Sequence, residues 1–161
     1  MEIKTYPDPC LRIRAKSVED FNSDIAKMLN DMADIMYANR GIGLAAPQVG
    51  LGLRVLVVDT GDGIVNYINP VIEDASKEKS KLEEGCLSFP DVTVNIVRPK
   101  KITVRARDAG GKFFIKTLNG LEAKAIQHEL DHLNGKLIID YLDPIRYFFT
   151  QRSLKRAKKN K

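Results

Sequence analysis

The chain contains only two histidines, His128 and His132, set four residues apart in the stretch 127–135. Four residues are about one turn of an α-helix, so both imidazoles would lie on one face with Cβ atoms roughly 5–6 Å apart. At that separation both rings can bind one metal ion, and Glu129 flanks the ion without having to bind it. This His-Glu-x-x-His pattern therefore predicts a metal centre with a carboxylate beside it.

A metal centre that does chemistry needs a third ligand, and no further histidine exists to supply one. The candidates are a carboxylate or a cysteine, and Cys86 lies in a compact loop directly after Gly85, 42 positions before His128. A thiolate suits a soft or borderline ion such as zinc or ferrous iron. One cysteine with two histidines leaves one tetrahedral position free for water, which is typical of a catalytic site rather than a closed structural one.

The residues around the histidine pair favour a helix. Asn119 can cap its N-terminus with Glu122 three residues on, as in a capping box, and Gly135 can end it in the left-handed conformation. Apolar residues at helical spacing indicate that the face carrying the histidines also faces the core. These apolar residues are Leu121, Ala125 and Leu133.

The composition is that of an ordinary globular domain, since 43% of the 161 residues are hydrophobic and 29% are charged. A chain of this length forms one domain that buries about two-thirds of its unfolded surface, so it needs neither disulfides nor a structural metal to fold. No stretch approaches the roughly 18 apolar residues of a membrane span, and no signal peptide is recognisable. We therefore expect a cytoplasmic protein in which Cys10 and Cys86 are free thiols or ligands.

The net charge of +5 comes from the end of the chain. Residues 152–161 contain six basic residues and no acidic one, and without these six the total of 26 basic residues falls to 20, against 21 acidic ones. The body is therefore not a polyanion-binding surface, which argues against a DNA-binding protein. We divide the chain into a single catalytic domain, 1–151, and a basic C-terminal tail, 152–161.

Helices are predicted near both ends of the chain. The stretch 22–40 has apolar residues at intervals of three and four, which predicts an amphipathic helix whose methionines belong to the core. The stretch 77–81 is expected to be a charged, solvated loop. A last helix begins at Pro144, and its apolar face carries Ile145, Phe148 and Phe149.

Alternating or continuous apolar runs predict strands through the middle of the chain. They lie at 54–59, 64–74 with an interruption at 69–70, 92–97, 102–106, 112–118 after a hairpin turn, and 137–140. The predicted fold class is α+β, with mostly antiparallel sheets packed around a central metal-binding helix and with an N-terminal and a C-terminal helix.

The stretch 41–50 has the spacing G-x-G-x-x-A of a dinucleotide-binding turn, but its context is wrong. That fingerprint follows a strand and opens a helix, whereas this stretch follows a predicted helix and leads into a strand. No Lys-Ser or Lys-Thr follows it, which excludes a phosphate-binding P-loop. Two interpretations remain: a tight loop that lets backbone approach a ligand, with Gln48 donating from a buried position, or a plain turn with Gln48 exposed.

Three stretches together, 41–48, 84–88 and 127–132, resemble the three signature motifs of the bacterial peptide deformylases, in the same order and at similar spacing. The resemblance covers nearly the whole chain. It implies an enzyme that removes the formyl group from the N-terminal formyl-methionine of newly synthesised proteins and releases formate. It also implies one divalent metal ion, with Fe(II) expected in the cell and Zn, Ni or Co as alternatives.

The resemblance carries residue roles as well. A metal-bound water would lose a proton to Glu129 as general base, and Glu129 would return that proton to the leaving amine. The side-chain amide of Gln48 and the backbone N–H of Leu87 would stabilise the developing oxyanion. The implied metal ligands are Cys86, His128 and His132.

The substrate side of the implied site is less sharply defined by the motifs. An extended peptide would contact the backbone of Gly43, and Leu121 and Ala125 would line the pocket for the methionine side chain. Glu84 and Asp131 either support the metal ligands through hydrogen bonds or are merely solvated.

The chain departs from the family pattern at two places. The stretch 91–93 (Asp-Val-Thr) lies where some relatives carry an arginine near the peptide, which leaves the contacts to the substrate backbone open. The basic tail, 152–161, is poorly defined by the pattern, and its charge would suit a contact with ribosomal RNA.

Two other functions compete with the deformylase interpretation. One is a different His-Glu-x-x-His metallohydrolase, such as a peptidase, whose third ligand is a carboxylate; the Cys86 motif speaks against it. The other is a structural metal module that binds a partner through the basic tail. Such a module requires a fourth protein ligand that closes the metal site, and Cys10 is the only other cysteine that could supply it. In such a module Glu129 would be dispensable.

Overall fold

The structure is a computed structural model that describes residues 1–159. These residues form seven strands and three long helices. The helices are α1 (Ser23–Ala38), α2 (Gly120–Leu133) and α3 (Pro144–Lys159). The strands are β1 (Gly43–Ala45), β2 (Val55–Val58), β3 (Val65–Ala75), β4 (Lys79–Cys86), β5 (Phe89–Pro99), β6 (Lys101–Arg107) and β7 (Phe113–Asn119). Short 3-10 helices span Pro9–Arg12, Ala46–Val49 and Ile138–Tyr141.

The strands form two antiparallel sheets, and α2 contacts both of them. Five strands pair in the order β1-β2-β3-β6-β7, and β4 pairs with β5 in a separate two-stranded sheet. Helix α2 packs against β1, β2 and β7 of the larger sheet and against β5 of the smaller one. The predicted α+β fold, with mostly antiparallel sheets packed around a central helix, is therefore confirmed.

Strand β2 is buried on both faces, which explains its unbroken apolar sequence. Leu56 and Val58 face the core under α2, where Leu130 and Leu133 pack. The alternate residues of the strand face the opposite core, which is formed with α1. Because helices cover both faces of this strand, neither face requires polar side chains, and polar and apolar residues do not alternate in its sequence.

Helix α1 has the boundaries and the buried face that its periodicity predicts. The side chain of Asn22 accepts a hydrogen bond from the backbone N–H of Asp24 at 3.0 Å and so caps the helix. Met32 and Met36 are completely buried, which confirms that the methionines belong to the core.

The start of α2 differs in detail from the prediction. Asn119 is at the N-cap position, but its side chain accepts no capping hydrogen bond. Glu122 accepts hydrogen bonds from Lys116 at 2.6 Å and Tyr67 at 3.4 Å, so the expected capping box is wrong. At the other end Gly135 has φ 72°, as predicted for a left-handed helix stop.

Two predicted segments are corrected by the structure. Residues 79–81 of the stretch expected to be a charged loop, 77–81, belong with the stretch containing Cys86 to strand β4, which pairs only with β5 and is largely exposed. Because it has one partner and little buried surface, its sequence carries no apolar alternation. The predicted strand at 137–140 is instead a 3-10 helix, in which Asp140 accepts hydrogen bonds from the Leu137 backbone and from Arg12.

Helix α3 packs on the body through Tyr147 and Leu154, and Gln151 donates a hydrogen bond to the hydroxyl of Tyr6 at 2.8 Å. The apolar face predicted for it is exposed: the exposed fractions are 71% for Ile145, 55% for Phe148 and 64% for Phe149. The helix runs without a break into the basic tail, and the domain boundary at residue 152 stays a prediction. Lys161, the last charge of that tail, lies outside the described residues. Within residues 1–159, no helix is long and apolar enough to cross a membrane.

Candidate metal centre and cleft

The end of β4 and the face of α2 bring Cys86, His128 and His132 together. Their ligand atoms lie within 4.8 Å of one another, and the Sγ of Cys86 is 3.2 Å from the Nε2 of His132. A register shift after Gly85 turns Cys86 out of the regular β4–β5 ladder. A thiolate and two imidazoles at this separation fit one divalent ion, for which ligand bonds of roughly 2.0–2.3 Å are usual.

Glu84 fixes the orientation of His128. Its Oε2 lies 2.9 Å from the Nδ1 of the ring, which leaves Nε2 as the nitrogen free for a metal. Burial alone would raise the pKa of Glu84, but hydrogen bonds from His128 and Arg98 outweigh it and hold the pKa at about 2. The Glu84 carboxyl group is therefore ionised at neutral pH and hydrogen-bonded to the candidate ligand His128, so it is not merely solvated.

Arg98 is the buried cation that holds this carboxylate, and sequence reasoning missed it. It is only 4% exposed and donates to both oxygens of Glu84, at 2.6 and 2.9 Å. A further bond of 2.9 Å reaches Asp131 on α2, and the hydroxyl of Tyr141 donates to the same carboxylate at 2.7 Å. Arg98 thus ties β4 and β5 to the helix that carries both histidines.

Glu129 lies beside the three candidate ligands, where it is 4% exposed. Burial raises its pKa to about 7, and its Oε2 has no hydrogen-bond partner within the described residues. Gly43 on β1 packs against it, because a Cβ at that position would lie 2.6 Å from the Oε1 of Glu129. The predicted substrate contact Gly43 is therefore also the residue that makes room for this carboxylate.

Gln48 is buried, 1% exposed, and turned towards the ligand cluster. The backbone N–H of Ala45 donates to its Oε1 at 2.8 Å, so its amide nitrogen must point the other way. That Nε2 lies 3.5 Å from the Sγ of Cys86 and 3.3 Å from the Oγ of Ser88. The interpretation of 41–50 as a plain turn with an exposed glutamine is wrong.

A cavity of about 620 Å³ opens onto these groups. The predicted site residues that line it are Gly43, Gln48, Cys86, Leu87, Leu121, Ala125, His128 and Glu129. The remaining one, His132, is 1% exposed and lies beneath the cavity. Residues 91–93 also line the cavity, as do Arg40, Leu82 and Lys124, which no sequence motif had indicated.

Comparisons with known proteins agree with the geometry of this site. The profile of the family described as Polypeptide deformylase matches residues 1–147. The chain belongs to this family. It is 43% identical to the peptide deformylase of Thermotoga maritima over 152 residues, which cover 94% of this chain and 93% of that protein. It is 46% identical to the peptide deformylase of Carboxydothermus hydrogenoformans over 138 residues, 86% of this chain and 90% of that protein.

Solved deformylase structures have the same fold. The peptide deformylase from Legionella pneumophila superposes with a TM-score of 0.91 at 42% identity, covering 98% of this chain and 95% of that one. The enzyme from Ehrlichia chaffeensis in complex with actinonin superposes with a TM-score of 0.94 at 39% identity, covering 98% and 96%. Membership of the deformylase family implies one metal ion, and the cysteine and two histidines lie together where such an ion would bind. Nothing in these matches favours the peptidase alternative.

Proposed function

We propose that this deformylase-family chain hydrolyses the formyl amide of N-formyl-methionyl nascent peptides, with Cys86, His128 and His132 as the ligands of one divalent ion. The observation that carries the proposal is the buried carboxylate of Glu129, which lines the cavity that opens onto this ligand cluster and whose Oε2 has no hydrogen-bond partner within residues 1–159. We further propose Fe(II) as the ion used in the cytoplasm, where nascent chains are made, with Zn, Ni and Co compatible with the same ligands.

Glu129 is the proton carrier of the proposed reaction. When bound, a divalent ion supplies Lewis acidity that lowers the pKa of water and polarises the formyl oxygen. The Oε2 of Glu129 has no partner among residues 1–159 and is free to accept the proton of the attacking water. A pKa of about 7 suits a group that takes this proton and then gives it to the leaving amine.

Gln48 and Leu87 are the proposed oxyanion donors. The Ala45 N–H fixes the amide of Gln48, so its donor nitrogen is held towards the cluster before any substrate arrives. Leu87 follows Cys86 directly and lines the same cavity. Preorganised donors of this kind typically contribute on the order of 10²–10³ in rate each.

The substrate backbone is proposed to pair with the open edge of β1. This strand is at the edge of the five-stranded sheet and begins at the cavity, where Gly43 is a lining residue, so an extended peptide can add to it. Gly43 would then face both the peptide and Glu129. The methionine side chain would lie against Leu121 and Ala125, which line the cavity one helical turn apart.

Formate release from formyl-Met-Ala-Ser by anaerobically purified protein, with metal content measured on the same sample, tests this function. Release should stop on chelation and return with ferrous or nickel ion. Glu129→Gln should keep the metal and lose turnover, Cys86→Ser should lose the metal, and Glu78→Gln, on the exposed start of the β4 hairpin, should change neither. A folded, metal-loaded protein that cleaves unformylated peptides instead would establish the peptidase alternative.

Ribosome contact through the C-terminal tail is a separate proposal. Helix α3 extends into this basic segment, and Arg152 and Arg156 are exposed on it. Lysine and arginine side chains on an exposed helix bind RNA phosphates in a salt-dependent manner. Deleting residues 152–161 should weaken co-sedimentation with ribosomes at low salt and leave formate release from short peptides unchanged. Equal co-sedimentation of both proteins would refute the contact.

A further inference from the structure

Lys124 is a buried lysine in the catalytic cavity that the proposed reaction does not use. It lies on α2 three residues after Leu121 and four before His128, so it shares their face of the helix. Only 6% of the residue is exposed, and its Nζ is buried without a hydrogen-bond partner within residues 1–159. No carboxylate of the described residues forms an ion pair with it. An amine in this position is an unused donor.

The surroundings of Lys124 are otherwise suited to an apolar side chain. Leu82, Leu121 and Ala125 line the same cavity, and Leu121 and Ala125 are the walls against which the substrate's first side chain is proposed to lie. Burial lowers the pKa of the Lys124 amine, as expected for a cation taken out of water beside such walls. The amine donates hydrogen bonds in either protonation state.

A methionine side chain leaves this donor unpaired, because a thioether sulfur is only a weak acceptor. A sulfoxide has the same chain length and carries a strongly accepting oxygen on the sulfur. Pockets that contain a buried donor discriminate well between ligands that satisfy it and ligands that do not.

We propose that the cavity accepts peptides beginning with N-formyl-methionine sulfoxide, and that Lys124 donates a hydrogen bond to the sulfoxide oxygen. This inference rests on the proposed deformylase function and names a second substrate class for the same site. The reaction is unchanged: water adds to the formyl carbon, the formyl C–N bond breaks, and formate and a free amine leave. The sulfoxide is neither oxidised nor reduced. Lys124 is therefore a specificity-determining residue.

The experiment compares three peptides that differ only at the first side chain: formyl-Met-Ala-Ser, its methionine sulfoxide form and its norleucine form. For each, kcat/KM is measured with wild-type protein and with Lys124→Met, Lys124→Gln and the exposed control Lys112→Met. We expect the sulfoxide-to-norleucine ratio to fall about tenfold in Lys124→Met, where the donor is gone. The ratio should be retained in Lys124→Gln, which keeps a donor, and in Lys112→Met.

A ratio that is the same in wild type and Lys124→Met would refute the inference. If Lys124→Met does not fold, the wild-type protein alone tests the inference. The inference is refuted if wild type cleaves the sulfoxide peptide more than about tenfold less efficiently than the norleucine peptide. Failure of the deformylase function itself looks different. In that case the folded, metal-loaded wild type releases no formate from any of the three peptides.

Discussion

A Cβ atom on Gly43 would lie 2.6 Å from the Oε1 of Glu129, closer than the two atoms can approach. The glycine of β1 therefore allows the buried carboxylate of Glu129 on α2, the proposed proton carrier, to lie against the strand that is proposed to bind the peptide. Glu129 directly follows the candidate metal ligand His128 in the sequence.

The first prediction follows from this contact. Gly43→Ala should displace Glu129 and lower kcat on the order of 10²-fold, because a shift of about 1 Å in a catalytic group has that effect. Metal content and thermal stability should change much less. The matched control is Gly52→Ala, since nothing lies within 4 Å of a Cβ at that glycine. Full activity of Gly43→Ala would contradict the prediction, because it would show that Glu129 can move away from the added Cβ without loss of function.

The second prediction concerns Arg98, whose side chain is 5% exposed and pairs with Glu84 and Asp131. Arg98→Met should leave the buried carboxylate of Glu84 and the partly buried carboxylate of Asp131 without their cation. Breaking a buried pair of this kind costs about 3–5 kcal/mol in the free energy of unfolding. Since Glu84 also orients His128, metal affinity should fall by ~10–100-fold. Chemical denaturation and competition with a metal chelator measure the two effects.

The control for this experiment is Arg105→Met. Arg105 pairs with Glu73 at the surface, where the two side chains are 39% and 38% exposed. Exposed pairs of this kind contribute about 0–1 kcal/mol, so the variant should unfold almost as wild type does and keep its metal. Equal losses in both variants would show that the buried network has no special role.

The contrast between Arg98 and the two candidate histidine ligands shows which contacts can be predicted from the sequence and which cannot. His128 and His132 are neighbours in sequence and on one helix, so their spacing alone predicts that they meet. Arg98 makes its contacts with residues 14, 33 and 43 positions away, and only the tertiary fold shows that they converge.

The missed elements have local causes. Strand β4 is paired on one side and exposed, so it lacks the continuous or alternating apolar runs that identified β2, β3 and β6. Asn119 and Glu122 have the spacing of a capping box, but Lys116 and Tyr67 across the neighbouring strands hold the Glu122 carboxylate. These tertiary contacts therefore prevent the capping box that the same spacing could form in an isolated helix.

The third prediction is a dependence of stability on acid pH. The pKa of Glu84 is lowered from 4.5 to about 2 in the folded protein. A carboxyl group with a lower pKa in the folded state contributes its full stabilisation above its unfolded pKa and loses it as the pH falls towards the folded one. Stability should therefore decrease from about pH 5 towards pH 2, and Glu84→Gln should show a shallower decrease.

Denaturant unfolding of both proteins with chelator present, at several pH values in this range, measures that slope without a contribution from metal release. Glu83→Gln, on the preceding exposed position of β4, should retain the wild-type slope. Parallel slopes for wild type and Glu84→Gln would show that the carboxylate is not held ionised by Arg98 and His128.

The last prediction concerns the two thiols. Burial raises the pKa of Cys10 to about 11, so at pH 7.5 only about one molecule in a few thousand carries its thiolate. Cys86 lies with His128 and His132 in the candidate metal centre, where a bound ion would protect it from alkylation. Iodoacetamide should therefore modify neither cysteine in the metal-loaded protein and Cys86 alone after chelation, as peptide mass mapping would show. Alkylation of Cys86 at the same rate with and without metal would remove it from the proposed ligand set, because a thiolate that binds an ion cannot react freely with an electrophile.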